Sequence, residues 1–432
     1  MAQERDQDGP VRDLDRRLFL RLAAAGLLLP GLADVLASCA RATGSGDAGA
    51  GASLPRPGNP VTWPMFKDNS AVGSGLPIER GATLKVFEWR EYLAPLVIRS
   101  FEQRYRAHDV HVEVSSFENR DAAAARIAQP GSDLDVFFPT VDQLGDLVGA
   151  KLLRPLNHDY LPNLPGLWPA FGAPTAPFYD VGQGYTIPYT VFSTGIGYRR
   201  DLVRPPDAPG ELEDPCSIFG NRRYRGKVGV LDTYREPLAM ALQDDGDADV
   251  NTGNGTELSR AAHELIGFAR ATGLKATEDG DYEGLARGEF AVHQAWSGDV
   301  LAARRFGEAT GALTDDRLGY WWMRDGGVVG CDLLAILSTG RNPVLAHLFL
   351  NHLLDLDVAM RNFAWNGYQP PLTGATPEAF ASREWGRAVP PHLLESTILS
   401  PEEFAAGSML LRLDPVADAR WIEQWRRFTS AA

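Results

Sequence analysis

The feature that most constrains the fold is a regular alternation of short apolar strands and helices, which begins at Thr83. The run from Leu84 to Phe87 predicts a strand. Pro95 follows at a point where the first turn of a helix tolerates proline. Val97 and Phe101 then recur at helical spacing. The pattern therefore favours an α/β fold over an all-helical or all-β one.

The alternation continues toward residue 153. Val110 to Val114 alternate as a half-buried strand, and Asp121 is placed to cap an alanine-rich helix that extends to Ala128. Asp135 to Phe138 predict an apolar strand, and a helical stretch leads from it to Leu153. This order of elements is typical of a mainly parallel sheet covered by helices.

A second α/β region begins near Thr194. Lys227 to Leu231 predict a strand, Glu236 to Leu242 a helix, and Thr256 is expected to cap a helix over Glu257 to Ala271. Further candidates are strands at 290–292 and 332–337 and helices at 342–351 and 357–364.

The chain is expected to cross between the two regions near Pro188 to Thr194 and again near Asp332. We therefore predict two lobes, residues 80–189 plus 333–372 and residues 190–332 plus 373–432. Ligands bind in the crevices that such architectures form between lobes and at strand ends.

The N-terminus reads as a leader and an anchor. Arg16 to Arg21 resembles a twin-arginine export motif, and Leu36-Ala37-Ser38-Cys39 looks like a bacterial lipobox, in which Cys39 carries lipid. The apolar run between them is short for a bilayer span. Residues 1–39 are thus predicted to be a signal and residues 40–79 a tether and N-terminal extension, glycine- and alanine-rich at first. The alternative is an uncleaved helix with an incidental cysteine.

Charge and motifs exclude several classes of function. The net charge of −14 disfavours binding to nucleic acid or to anionic membranes by charge and suits a cationic partner. No zinc-protease, phosphate-loop, serine-hydrolase or dinucleotide motif is present. We expect no enzyme activity, cofactor or metal, although a hydrolase built from paired carboxylates stays open because the sequence does not give their separation. Cys216 and Cys331 could pair or remain free thiols.

Several blocks of sequence resemble the spermidine/putrescine-binding proteins of polyamine ABC importers, which are two-lobed extracytoplasmic solute-binding proteins. The resemblance runs from Leu84 to Tyr368. Its blocks are 86–92, 133–140 with 152–156, 187–189 with 194–197, 224–227 with 235–236, 295–299, 332–336 and 366–370. It implies a periplasmic-binding-protein-like α/β fold of type II with a cleft between the lobes.

The resemblance also implies a ligand and a site. A linear diammonium ligand needs carboxylates for its ends and aromatic faces for its methylene chain. The residues that match the family's site or that we add to it are Trp89, Glu91, Tyr92, Asp142, Glu236, Trp296, Asp299, Asp332 and Tyr368. The aromatic residues among them have the alternative of ordinary core packing, and the acids that of solvated loops. The implied partners are a polyamine, an ABC permease and, through Cys39, the membrane, with the protein a monomer.

Three departures from the family pattern concern the ligand more than the fold. A spermidine-branch acid is Thr233 here, directly after Asp232. A family aromatic is Gly330, and a family tyrosine is Asp142. These changes predict less stacking surface and one additional carboxylate. Putrescine and spermidine both stay open, as do a cationic amino-acid derivative, a sugar or a metal complex on the same scaffold.

Overall fold

The computed structural model describes residues 54–431, except 118–119, 245, 247–248, 278–281, 312–315, 385 and 387–388. The predicted signal, Cys39 and the tether up to residue 53 lie outside the described residues. From residue 54 onward the N-terminal extension packs along the body. Trp63 donates from Nε1 to the Tyr179 carbonyl at 2.8 Å, and the Asn69 amide donates to the Leu153 carbonyl at 2.7 Å.

Eleven strands of the described residues form one continuous mixed sheet. They are β1 (Thr83–Trp89), β2 (His111–Phe117), β3 (Val136–Phe137), β4 (Leu153–Arg154), β5 (Thr186–Arg199), β6 (Val228–Leu231), β7 (Lys275–Thr277), β8 (Val292–Trp296), β9 (Leu318–Trp321), β10 (Val328–Leu337) and β11 (Ser408–Met409). Their order is β2-β1-β3-β10-β5-β8-β6-β7, with β4 and β11 against β10 and β9 against β5.

Helices cover the sheet. They are α1 (Pro95–Arg104), α2 (Arg120–Ile127), α3 (Leu144–Gly149), α4 (Glu236–Asp244), α5 (Gly255–Thr272), α6 (Tyr282–Arg287), α7 (Ser297–Thr310), α8 (Pro343–Leu353), α9 (Leu356–Asn366), α10 (Pro377–Ser382), α11 (Pro391–Thr397), α12 (Pro401–Ala406) and α13 (Pro415–Thr429). Of the helices in the described part of the chain, none has the length and apolar character that crossing a membrane requires.

Two predicted helix caps are wrong. The N-cap of α5 is Asn254, whose side chain accepts from the Thr256 backbone N–H at 3.0 Å, so Thr256 lies inside the first turn. Helix α2 begins at Arg120, which places Asp121 within the helix and not before it. In both cases the apolar periodicity located the helix, whereas the hydrogen bond that starts it depends on loop geometry.

The two long strands β5 and β10 connect the halves of the sheet. Residues 186–193 of β5 pair antiparallel with β10, and residues 194–198 pair antiparallel with β8. The change of partner falls within the crossover predicted near Pro188 to Thr194. The outer pairs β1–β2, β1–β3, β6–β7 and β6–β8 are parallel. The sheet is thus parallel at its flanks and antiparallel at the crossover.

Two separate hydrophobic cores flank the crossover. The first includes Val86, Phe137 and Phe349, and the second includes Val230, Leu265 and Trp421. Apolar side chains on successive turns of the helices face the sheet, which is the arrangement that removes most apolar surface from water. Cys216 and Cys331 are both buried free thiols.

Candidate ligand-binding cleft

A cleft with a volume of about 550 Å³ opens between the two cores. Aromatic and apolar side chains that pack on the first core, including Trp89 and Tyr368, line one side, and Tyr234 and Trp425 of the second core line the other. All nine predicted site residues line this one cleft: Trp89, Glu91, Tyr92, Asp142, Glu236, Trp296, Asp299, Asp332 and Tyr368. The structure therefore brings together residues that are up to 279 positions apart in the sequence.

Asp332 is the carboxylate at the crossover. It lies in the middle of β10 and is 8% exposed. The Tyr92 hydroxyl donates a short hydrogen bond to its Oδ2, and the Thr190 hydroxyl donates at 3.4 Å. Burial raises the pKa of Asp332 to about 6, although both hydroxyl donors oppose that rise. The carboxylate is thus held by neutral donors only.

Asp299 lies in the first turn of α7 and is also buried. The Tyr368 hydroxyl donates to its Oδ1 at 2.7 Å. Burial raises the pKa of Asp299 to about 7, and the Tyr368 hydrogen bond limits the rise. Gly298 makes the contact possible, because a Cβ at that position would lie 2.5 Å from the Tyr368 ring. Gly298 therefore leaves room for the Tyr368 ring, and Asp299 next to it accepts the hydrogen bond of the Tyr368 hydroxyl.

Glu236 begins α4 and is 9% exposed. The Trp296 indole donates from Nε1 to Glu236 Oε1 at 3.1 Å, whereas Oε2 is buried and, among the described residues, has no partner within hydrogen-bonding geometry, with the Thr194 hydroxyl the nearby donor that also lowers the Glu236 pKa. Burial raises the pKa of Glu236, and the indole hydrogen bond opposes that rise. An unpaired buried carboxylate oxygen is costly unless a ligand satisfies it.

The two remaining predicted acids each hold a guanidinium group of the protein itself. Glu91 has a left-handed backbone with a φ of 58° and pairs through Oε2 with Arg305 Nη2 at 3.2 Å. Asp142 forms a short ion pair with Arg120 and accepts from the Thr140 hydroxyl at 2.6 Å. Both acids line the cleft, but their charge is already compensated.

The glycine at residue 330 leaves room for an aromatic side chain of the neighbouring strand. Gly330 lies opposite Phe192 in the β10–β5 pair, and a Cβ at residue 330 would be 2.2 Å from the Phe192 ring. Phe192 lines the cleft there, edge-to-face with Trp296 at 6.1 Å and with Tyr368 at 5.7 Å. Phe192, on the neighbouring strand, thus supplies aromatic surface beside Gly330.

Other residues line the cleft that the sequence did not predict as site residues. They are chiefly Phe192, Arg120, Asp232 and Arg305. The signal for Phe192 was present, because a glycine in an apolar strand indicates close approach of a neighbour. No sequence signal pointed to Arg305, because it lies two turns along α7 from Asp299 and is one arginine among many.

Comparisons with known proteins place the chain in a family. The family model for bacterial extracellular solute-binding proteins matches residues 97–389, more than half of the chain. The spermidine/putrescine-binding periplasmic protein 1 of Haemophilus influenzae is 26% identical over 289 residues, 66% of this chain and 74% of that protein. The putrescine-binding periplasmic protein PotF of Escherichia coli is 26% identical over 295 residues, 67% of this chain and 77% of that protein.

Solved structures share the fold. The TpPotD lipoprotein of Treponema pallidum superposes with a TM-score of 0.66 at 23% identity, covering 80% of this chain and 99% of that one. The spermidine/putrescine substrate-binding protein PotD of Streptococcus pneumoniae gives a TM-score of 0.64 at 19% identity, covering 81% and 99%. The two-lobed α/β fold is confirmed, and the chain belongs to the bacterial extracellular solute-binding protein family, as its resemblance to the spermidine/putrescine-binding proteins predicted.

Proposed function

We propose that the protein is the substrate-binding lipoprotein of an ABC importer, which binds putrescine or spermidine between its lobes and delivers it to the permease. One observation carries the proposal. Glu236, Asp299 and Asp332 are buried in one cleft, and among the described residues no lysine, arginine or histidine forms an ion pair with any of them. Buried carboxylates require a cation or a proton.

The aromatic lining suits the rest of a polyamine. Trp89, Tyr92, Phe192, Trp296 and Tyr368 all line the cleft. Flat apolar faces bury methylene groups at about 25 cal/mol per Å², and aromatic rings attract ammonium groups directly. A sugar would instead need many neutral donors and acceptors, so the mixture of acids and rings favours an organic cation.

The leader supports the cellular setting of this proposal. A twin-arginine-like motif followed by a lipobox at Cys39 suits export and lipid anchoring. The relatives from Haemophilus influenzae and Escherichia coli are named periplasmic binding proteins. In this setting the protein captures its ligand outside the cytoplasmic membrane, as a monomer and without catalysis.

Binding is coupled to closure in the proposed mechanism. Without ligand, the negative charges of the cleft repel one another and favour an open form or protonation. A dication removes the repulsion and favours the form in which both lobes contact it, which is a shift of population toward the closed state. The crossover strands β5 and β10 join the lobes that move.

The test is Asp332→Asn, which keeps the shape of the side chain and removes its charge. We expect putrescine or spermidine affinity to fall roughly 150- to 5000-fold, because losing one partner of a buried ion pair costs about 3–5 kcal/mol. Isothermal titration calorimetry measures the change. Asp68→Asn is the control, since Asp68 is an exposed acid paired with Lys151 outside the cleft.

A thermal-shift screen with putrescine, spermidine, arginine and Fe(III) then tests the class of ligand. Ligand at 100 times its Kd stabilises the folded state by about 2.7 kcal/mol. We expect stabilisation by at least one polyamine. If neither polyamine raises the melting temperature, or if Asp332→Asn binds as tightly as the parent, the proposal is wrong.

A further inference from the structure

The acids of the cleft fall into two groups with different partners. Glu236, Asp299 and Asp332 are at most 9% exposed and accept hydrogen bonds from tyrosine, threonine and indole groups. Glu91 and Asp142 are more exposed, with side chains 48% and 21% accessible, and each is paired with an arginine. We call the first group the inner acids. Within the described part of the cleft, a bound cation finds buried negative charge without a cationic partner at the inner acids, and the one other unpaired acid, Asp232, is exposed.

Arg305 occupies a position that resembles a binding subsite for an ammonium group. Its guanidinium pairs with Glu91 and lies 4.4 Å from the centre of the Trp365 ring. The Trp365 indole in turn donates to the Glu91 carbonyl at 3.2 Å. An acid beside an aromatic face is the arrangement that holds an organic cation, and here the cation belongs to the protein.

Two of the inner acids, Asp332 and Asp299, are connected through two tyrosine side chains. Tyr92 donates to Asp332 and Tyr368 donates to Asp299, and the two tyrosine rings meet edge-to-face with centroids 5.3 Å apart. We expect this pair of acids to hold the two ammonium groups of a short diamine. A longer polyamine that is anchored there must place its additional ammonium elsewhere in the cleft.

The nearby Arg235 also lines the cleft, and its charge lowers the pKa of Glu236, but among the described residues it forms no ion pair with an inner acid. Its guanidinium donates to the Leu411 carbonyl and to Asn251, both at 2.9 Å, and lies 4.5 Å from the Trp421 ring. It is therefore held against the second core. Arg305, in contrast, is 32% accessible at the side chain and faces the cleft.

We propose that Arg305 determines ligand length: by occupying the site at Glu91, it favours a diamine held entirely by the inner acids and disfavours longer polyamines. The inference rests on the proposed function and names the ligand class within it. Like charges placed side by side oppose binding, whereas an unoccupied Glu91 would attract the additional ammonium.

The experiment compares putrescine and spermidine by calorimetry with the parent protein and with Arg305→Gln. We expect the parent to bind putrescine more tightly. Arg305→Gln should shift the ratio of the two affinities toward spermidine by roughly tenfold. In the double variant Arg305→Gln/Glu91→Gln that gain should disappear, because the freed carboxylate is then absent.

Arg383→Gln is the matched control, since Arg383 forms an exposed ion pair with Asp357 and does not line the cleft. A general effect of net charge would shift its affinity ratio as much as that of Arg305→Gln, and would overturn the inference. An unchanged ratio in Arg305→Gln, with putrescine still bound, overturns the inference and leaves the proposed function standing. If the parent binds neither polyamine, both fail.

Discussion

At the scale of single residues, the inner acids combine burial with proximity to neutral donors. Burial raises the pKa of Asp332 to about 6 and that of Asp299 to about 7, and it raises the pKa of Glu236 as well. Asp299 and Asp332 therefore titrate between about pH 6 and pH 7. A ligand cation competes with protons for them, so polyamine affinity should weaken as the pH falls below about 7.

Asp299 offers a test of this linkage in the absence of ligand. Its pKa rises from the usual 3.8 to about 7 on folding, so between these values the folded state binds more protons than the unfolded state. Stability then falls as the pH rises through that window. Asp299→Asn removes the titration while its amide oxygen can still accept from Tyr368.

We therefore expect Asp299→Asn to gain stability relative to the parent between pH 4.5 and pH 8, by about 3 kcal/mol. Urea denaturation at both pH values measures the difference. A difference in unfolding free energy that is the same at both pH values would show that Asp299 does not titrate as burial predicts.

The sequence pointed to the inner acids through its resemblance to the polyamine-binding family. Asp332 stands inside a strand where an unpaired acid is costly, and Glu236 begins a helix after a buried strand. It did not reveal that Glu91 and Asp142 are neutralised. The arginines responsible, Arg305 and Arg120, come from other elements, and only the tertiary fold decides which of many arginines reaches an acid.

At the scale of elements, the register of β5 against β10 shapes the cleft. It places Gly330 opposite Phe192 and Asp332 opposite Thr190. The sequence predicted a strand over residues 332–337 of β10 and a crossover near residues 188–194 of β5. Their antiparallel pairing and register depend on contacts between segments about 140 residues apart, which no local pattern contains.

The start of α5 gives a prediction at this scale. Asn254 accepts from the Thr256 backbone N–H, and its amide donates to Glu257 Oε1 at 2.8 Å. Asn254→Ala should lower the unfolding free energy by about 1 kcal/mol, because it leaves a helix N-terminus without its cap. The midpoint of urea denaturation measures the loss.

Thr256→Ala is the matched control for the cap. Thr256 is exposed and lies inside the first turn, so the change should alter stability by less than about 0.5 kcal/mol. The assignment of Asn254 as the cap would be wrong if Thr256→Ala were the more destabilising of the two variants.

At the scale of the whole molecule, the charge of −14 serves two purposes. Most of the acids are surface groups that favour solubility. The few inner acids lie between two cores that are joined by β5 and β10. Because the cores are separate, neutralising the charge between them can change their spacing without unfolding either one.

This arrangement predicts a ligand-dependent change of shape. Saturating polyamine should reduce the radius of gyration at pH 8, as measured by small-angle X-ray scattering, because the dication draws both sides of the cleft onto itself. At pH 5 the same concentration should have less effect, since protonation removes the charge of Asp299 and Asp332. Asp332→Asn at pH 8 should resemble the ligand-free parent. Scattering that stays unchanged while calorimetry records saturation would mean that the cleft binds its ligand without closing, and that the inner acids act on affinity alone.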